Sequence, residues 1–247
     1  MSKKLFVVSD IHSYYTPLKK ALDEKGFDPN NENHWLIVCG DAFDRGGESE
    51  DVLHFLMSLE RKILIKGNHD ILLEKLCHRK APYMHDYSNG TIKTLEDLGD
   101  MGMGYSFEKC CEVCWNKTAA YRDSLVNYFE TKNYIFVHSW IPFTAIEGYI
   151  KYDPDWRKSI NKQWEDAMWV NPFDMVVAGL NQTGKTIIFG HWHCSAGHKM
   201  LGHCNDEFKY AIWEPCYTND AIGIDRCTAH TGEVNVLVLE DEFLEGR

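Results

Sequence analysis

The stretch Trp35-Leu36-Ile37-Val38-Cys39-Gly40-Asp41-Ala42-Phe43-Asp44-Arg45-Gly46 decides the fold. Its apolar first part reads as a short strand buried on both faces, and Gly40 then turns the chain straight into carboxylates and a guanidinium. A buried strand with polar chemistry at its carboxyl end is the pattern of an open α/β sheet, where ligands bind just beyond the strand ends.

The pattern recurs on either side. Leu5-Phe6-Val7-Val8 runs into Asp10-Ile11-His12, Ile63-Leu64-Ile65 into Gly67-Asn68-His69-Asp70, Tyr134-Ile135-Phe136-Val137 into His138, and Thr186-Ile187-Ile188-Phe189 into Gly190-His191-Trp192-His193. Helices are expected over 16–25, 47–60 and 69–77; in the second, Val52, Phe55, Leu56 and Leu59 share one apolar face. Strand and helix thus alternate to about residue 77, which implies a layered α/β core with parallel pairing.

Residues 79–118 break that rhythm with Gly99, Gly102, Gly104 and the group Cys110, Cys111, Cys114, and are expected to form an inserted cap. A helix is expected over 119–131 and another around 159–169, within an aromatic-rich stretch, 140–180, that could also lie over the site. Strand-like runs at 210–213, 221–225 and 234–239 suggest a second sheet layered on the first. With no repeat or linker, 1–247 is expected to be a single domain with that one insertion.

The chain has 247 residues, of which 44% are hydrophobic, enough for a sizeable core. No apolar run approaches the roughly 18–20 residues that span a bilayer, and the first residues lead directly into a strand, so a cytoplasmic protein without membrane attachment is expected. Nine cysteines, an odd count without a disulfide-framework spacing, are expected to be reduced. A formal charge of −11 argues against stable nucleic-acid binding, which needs a clustered basic surface. Bound divalent ions would reverse that sign locally and admit an anionic phosphate.

Carboxylates, an amide and imidazoles gathered at strand ends are the donors that hold Mn²⁺, Fe or Zn²⁺. Two such ions about 3.5–4 Å apart can activate water and neutralise phosphoryl oxygens together, and a carboxylate such as Asp41 can bridge them. The blocks resemble those of the calcineurin-like metallophosphoesterase superfamily; Gly40–Gly46 and Gly67–Asp70 are similar to its phosphoprotein phosphatase branch, which includes bacterial and phage protein phosphatases and diadenosine tetraphosphate hydrolases.

The resemblance spans residues 10–193, with a looser echo at Ile224-Asp225 and Thr231-Gly232, and implies a four-layer α/β/β/α sandwich. It implies that Asp10, His12, Asp41 and His193 hold one metal and that Asp41, Asn68, His138 and His191 hold the other. His69 would be the general acid, held by Asp44, and Arg45 would bind phosphate. A carboxylate partner favours the charged imidazole, and a guanidinium fork suits two phosphoryl oxygens. The expected activity is phosphomonoester hydrolysis by direct attack of a metal-bridging hydroxide, Mn²⁺ being the first expectation, with a phosphoprotein as substrate. Hydrolysis of dinucleoside polyphosphates or another nucleotide ester is the alternative, and a silent binding scaffold a remote one.

Departures from the branch are Ser9 and Ser13 where glycines are usual, Phe43 for a smaller residue, and Asp70 for Glu. A further downstream arginine is missing; Arg157 could replace it or be an ordinary surface residue. Cys194, His198, His203 and Cys204 lack the paired spacing of a zinc site. Trp140 and Trp192 adjoin proposed ligands and could line the cleft, although most of the eight tryptophans should be packing residues.

Overall fold

The computed structural model describes residues 2–146 and 149–244. In chain order, β1 (Lys3–Val8), α1 (Tyr15–Glu24), β2 (His34–Cys39), α2 (Ser49–Ser58), β3 (Lys62–Ile65) and α3 (Asn68–Arg79) alternate. Next come α4 (Met84–Ser88), α5 (Thr91–Leu98), α6 (Phe107–Lys117), α7 (Ala119–Asp123), β4 (Leu125–Val126), β5 (Phe129–Glu130) and β6 (Tyr134–Phe136). The hairpin β7 (Phe143–Ile146) and β8 (Tyr149–Tyr152) precedes α8 (Asn161–Ala167), α9 (Pro172–Val177) and β9 (Thr186–Phe189). The chain closes with α10 (Cys194–Met200), β10 (Cys216–Tyr217), β11 (Ala221–Gly223), α11 (Thr228–Thr231) and β12 (Leu237–Asp241).

Two five-stranded sheets result, ordered β12-β1-β2-β3-β4 and β10-β11-β9-β6-β5. Because side chains alternate along a strand, each sheet has two apolar faces to cover. Leu5, Val7, Ile37 and Ile65 of the first sheet meet Phe129, Phe136, Ile188 and Ile222 of the second in the central core. The alternate residues Phe6, Val8, Leu36, Val38 and Leu64 face outward to α1, α2, α3, α5 and α6, while Ile135, Ile187 and Phe189 pack with Trp140, Trp156, Trp164 and Phe173 on the far side. Each such side chain contributes about 1.5–3 kcal/mol on burial, and the product is the four-layer α/β/β/α sandwich.

Residues 79–118 are mostly helical. Ile92, Leu95, Leu98, Cys110, Cys111 and Cys114 are buried in the same outer core as Phe6 and Val38, so this segment packs beside α2 and α3.

Three local expectations are corrected. The helix expected over 119–131 stops at Asp123, because Leu125 and Val126 pair with β3, and Phe129 and Glu130 with β6. Residues 210–213 form no strand; Tyr210 is exposed and the Trp213 ring lies tilted against those of His193 and His230 instead. The other two runs do not make a sheet of their own either: β11, within 221–225, joins the sheet of β9, whereas β12, which overlaps 234–239, pairs antiparallel to β1 in the other sheet.

Candidate metal centre

Asp10 and His12 follow β1, Asp41 follows β2, Asn68 and His69 open α3 immediately after β3, His138 follows β6 and His191 follows β9. Strands β1, β2 and β3 are parallel neighbours in one sheet and β6 and β9 in the other, so all five carboxyl ends converge. The chain leaves them in sharp turns. Asp10, His12, Asp41, Asp44, Arg45 and His191 all have left-handed backbone, with φ from 48° to 76°. Such conformations cost of order 1–3 kcal/mol each and gather where function demands them. At Gly67 a Cβ would lie 2.1 Å from Asp41 Oδ1, and at Gly190 2.1 Å from Asp10 Oδ2; glycine leaves the space that the two carboxylates fill.

Two donor sets share Asp41. On one side His138 Nε2 lies 2.7 Å from Asn68 Oδ1, 3.2 Å from His191 Nδ1 and 3.5 Å from Asp41 Oδ2. On the other, His12 Nε2 lies 4.0 Å from both Asp10 Oδ1 and Asp41 Oδ2, and His69 Nε2 lies 3.9 Å from Asp41 Oδ2. The second oxygen of Asp10 accepts from the His191 backbone N–H at 2.9 Å, tying the two sides together. Apart from half-buried His191, these ligand candidates are buried.

The chemistry of the donors fits cations. His12 Nδ1 donates to Phe43 O and His138 Nδ1 to Cys39 O, each at 2.9 Å. Held in that orientation, each ring turns its Nε2 toward the carboxylate of Asp41, and His138 also toward Asn68 Oδ1. This is repulsive unless a proton or a metal stands between them, and backbone carbonyls that fix a ring in this way are a usual support for metal-binding histidines.

Electrostatics separate the histidines. Burial, followed by the Arg45 charge, pushes His12 well below its ordinary range; burial and His138 push His191 down to about 3. Both are thereby favoured as neutral rings. Burial also works against the Asp41 charge, but His138 and His69 outweigh it and hold this carboxylate below its ordinary range. Asp10, raised by burial and by Asp41 against the pull of His138, sits at about 6.

His69 behaves oppositely. Burial opposes its charge, yet Asp41 and Asp44 together raise its pKa above the ordinary imidazole value. Its Nδ1 donates to Asp44 Oδ2 at 2.7 Å, which leaves Nε2 facing the site, 3.4 Å from Arg45 Nη2. A ring held by a carboxylate at one nitrogen and free to exchange a proton at the other is arranged for general acid work. Arg45 itself is exposed.

The structure does not bring His193 to either donor set. Its Nδ1 accepts from Ala196 N at 3.1 Å as the cap of α10, and its ring lies against Phe208 and Trp213 with Nε2 3.8 Å from Glu207. Arg157 stands apart too, forked onto buried Glu130 at 2.7 and 3.0 Å. Trp140 is a core residue, whereas Trp192 is exposed.

Sequence reasoning missed several supporting residues. Thr94 Oγ1 and Thr91 Oγ1 donate to Asp44 at 2.7 and 2.8 Å from the first turns of α5. Tyr121 donates to Asp70 at 2.9 Å, Asp70 itself accepting from Gly67 N, and the same tyrosine packs edge-on against Phe43. The bulkier Phe43 is therefore accommodated in the core. Asp225, buried after β11, is pushed well above the carboxylate range by burial and by Asp10. Its one sequence signal was the Ile224-Asp225 echo.

A sandwich of this kind with Asp, Asn and His donors at its strand ends defines a metallophosphoesterase. The calcineurin-like phosphoesterase family profile matches residues 3–195, and the chain belongs to that family. Among curated relatives, a symmetrical bis(5'-nucleosyl)-tetraphosphatase from Aeromonas hydrophila is 40% identical over 30% of this chain and 27% of its own length. One of the same name from Aromatoleum aromaticum is 32% identical over 31% and 28%, and one from a Marinomonas species 26% identical over 56% and 44%. The matches thus span less than half of these relatives. Among solved structures, a provisionally assigned diadenosine tetraphosphatase superposes with a TM-score of 0.52 at 16% identity, covering 99% of this chain and 95% of that one. A cold-active protein-tyrosine phosphatase of a Shewanella species gives 0.56 at 15% identity, over 96% and 75%. These two likenesses concern the fold.

Proposed function

We propose that the chain is a two-metal hydrolase of dinucleoside polyphosphates, with Asp10, His12 and Asp41 holding one ion and Asp41, Asn68, His138 and His191 the other. The observation that carries the hydrolase reading is the two groups His12–Asp41–His69 and Asp41–His138–His191 meeting at Asp41, with His69 Nδ1 held 2.7 Å from Asp44 Oδ2. The tetraphosphatase relatives support a nucleotide substrate over the phosphoprotein expected first. Arg157 also falls away as a second phosphate clamp, being paired with Glu130.

When bound, the two ions supply activation of water and neutralisation of the phosphoryl oxygens. The residues divide the remaining tasks. Arg45, at the exposed edge, forks onto non-bridging oxygens and orients the phosphorus. His69 gives the proton on Nε2 to the departing oxygen, while Asp44 keeps Nδ1–H engaged and stabilises the charged ring beforehand.

The test is initial rates of the metal-stripped protein with and without added Mn²⁺, on diadenosine tetraphosphate, a phosphoserine peptide, an alkyl phosphomonoester and a phosphodiester. The expected outcome is Mn²⁺-dependent turnover with the dinucleotide preferred. Preference for the peptide would return the phosphoprotein reading.

A further inference from the structure

Of the eight tryptophans, Trp169, 49% exposed, and Trp192, 39% exposed, are the two most exposed, and both stand beside His191. An indole left in water forgoes much of the apolar area it could bury, so an exposed one at a candidate site asks for a use. Trp192 adjoins His191 in the chain. Trp169 comes from a different element: its ring centre lies 6.3 Å from that of His191, with the rings nearly perpendicular at 87°.

Trp169 is also held in place. It sits in the turn between α8 and α9, where its backbone N–H donates to Asp166 O at 3.3 Å. The preceding Met168 is buried in the core with Ile71 and Trp140. The following Val170 accepts at its carbonyl from Ser139 Oγ at 2.8 Å, and Ser139 is the residue after His138. Asn171 then caps α9, accepting from Phe173 N. The turn carrying the exposed indole is thus fastened to the strand end that carries one metal-ligand candidate, and its ring leans on another.

We infer that Trp169 is the platform on which a nucleobase stacks while the attached phosphate lies at the Asp41-centred donors. This rests on the nucleotide reading above. A phosphoserine side chain puts a methylene next to its phosphate and offers nothing flat to an indole. A nucleotide puts a base one ribose away, and aromatic stacking accepts any base because every base has a π-face. Trp169 therefore distinguishes nucleotides from baseless phosphates without reading base identity.

The experiment is calorimetric titration of AMP and of ribose 5-phosphate into the Mn²⁺-loaded wild type, Trp169→Phe and Trp169→Ala, alongside KM for diadenosine tetraphosphate. The wild type should bind AMP more tightly than ribose 5-phosphate. Trp169→Ala should lose about ten-fold in AMP affinity, and far less for ribose 5-phosphate, while Trp169→Phe, which keeps an aromatic face, retains most of the preference. Equal losses for the two ligands, or an unchanged AMP preference in Trp169→Ala, would overturn the platform. If diadenosine tetraphosphate is turned over with the same KM by wild type and Trp169→Ala, the platform fails and the hydrolase reading stands. If the dinucleotide is not hydrolysed but AMP preference still depends on Trp169, the platform stands and the substrate reading fails.

Discussion

On one side of Asp41 the polar atoms of Asn68, His138 and His191 crowd to within 3.2 Å of one another in successive pairs, and on the other His12 Nε2 stands 4.0 Å from each of its carboxylate neighbours. The crowded set draws on both sheets and is closed by short contacts. The looser set belongs to the first sheet alone and borders His69 and the exposed Arg45. Under the proposed function, a site so divided would keep one ion in a shaped pocket and leave room for phosphate and the acid on the other side.

The largest expected effect comes from the residue the two sides share. Asp41→Asn should bring metal content well below two ions per chain by elemental analysis and reduce hydrolysis to background, since an amide is a weaker ligand and cannot balance two cations. Next, the sides should separate when each loses a histidine. His12→Ala should keep one ion, held by Asn68, His138 and His191, whereas His138→Ala should lose the tighter ion; equal metal loss in the two would break the contrast.

Asp44→Asn should leave both ions in place and lower kcat by about 10–100-fold, within the range ascribed to general acid catalysis. The raised pKa of His69 carries its acid form to higher pH than an ordinary imidazole would keep it, and that form is lost as pH rises through the raised value. Removing the Asp44 charge lowers the value, so the high-pH fall in kcat should move to lower pH. The smallest effect is on metal retention. Asp10, at about 6 without metal, must give up its proton to ligate, so apparent affinity on the looser side should weaken as pH falls through about 6; metal titrations from pH 5 to 8 would show it.

The same division marks what the sequence made legible. Buried strands running into candidate ligands, as at Val8, Cys39, Ile65 and Phe189, announce themselves because apolar runs and turn residues are local signals. Thr91 and Thr94 were invisible: a hydroxyl that clamps the loop residue Asp44 from a helix further along the chain has no periodicity of its own. His193 shows the converse, a motif position whose ring was drawn away by a helix cap and by Phe208 and Trp213, neighbours that only tertiary packing supplies. The placement of β12 beside β1 likewise rests on contacts more than two hundred residues apart in the chain.

His69 lies within reach of Asp41 and His12 and so stands where a ligand could stand, yet its Nδ1 is engaged by Asp44. The most direct measurement is kcat of His69→Ala relative to wild type on diadenosine tetraphosphate and on an alkyl phosphomonoester, with metal content determined on the same samples. An alkoxide needs its proton far more than a departing nucleoside diphosphate does. The account predicts two retained ions, a loss of about 10²–10⁴-fold on the alkyl ester and a much smaller loss on the dinucleotide. Loss of an ion, or equal losses on the two substrates, would contradict His69 as the acid.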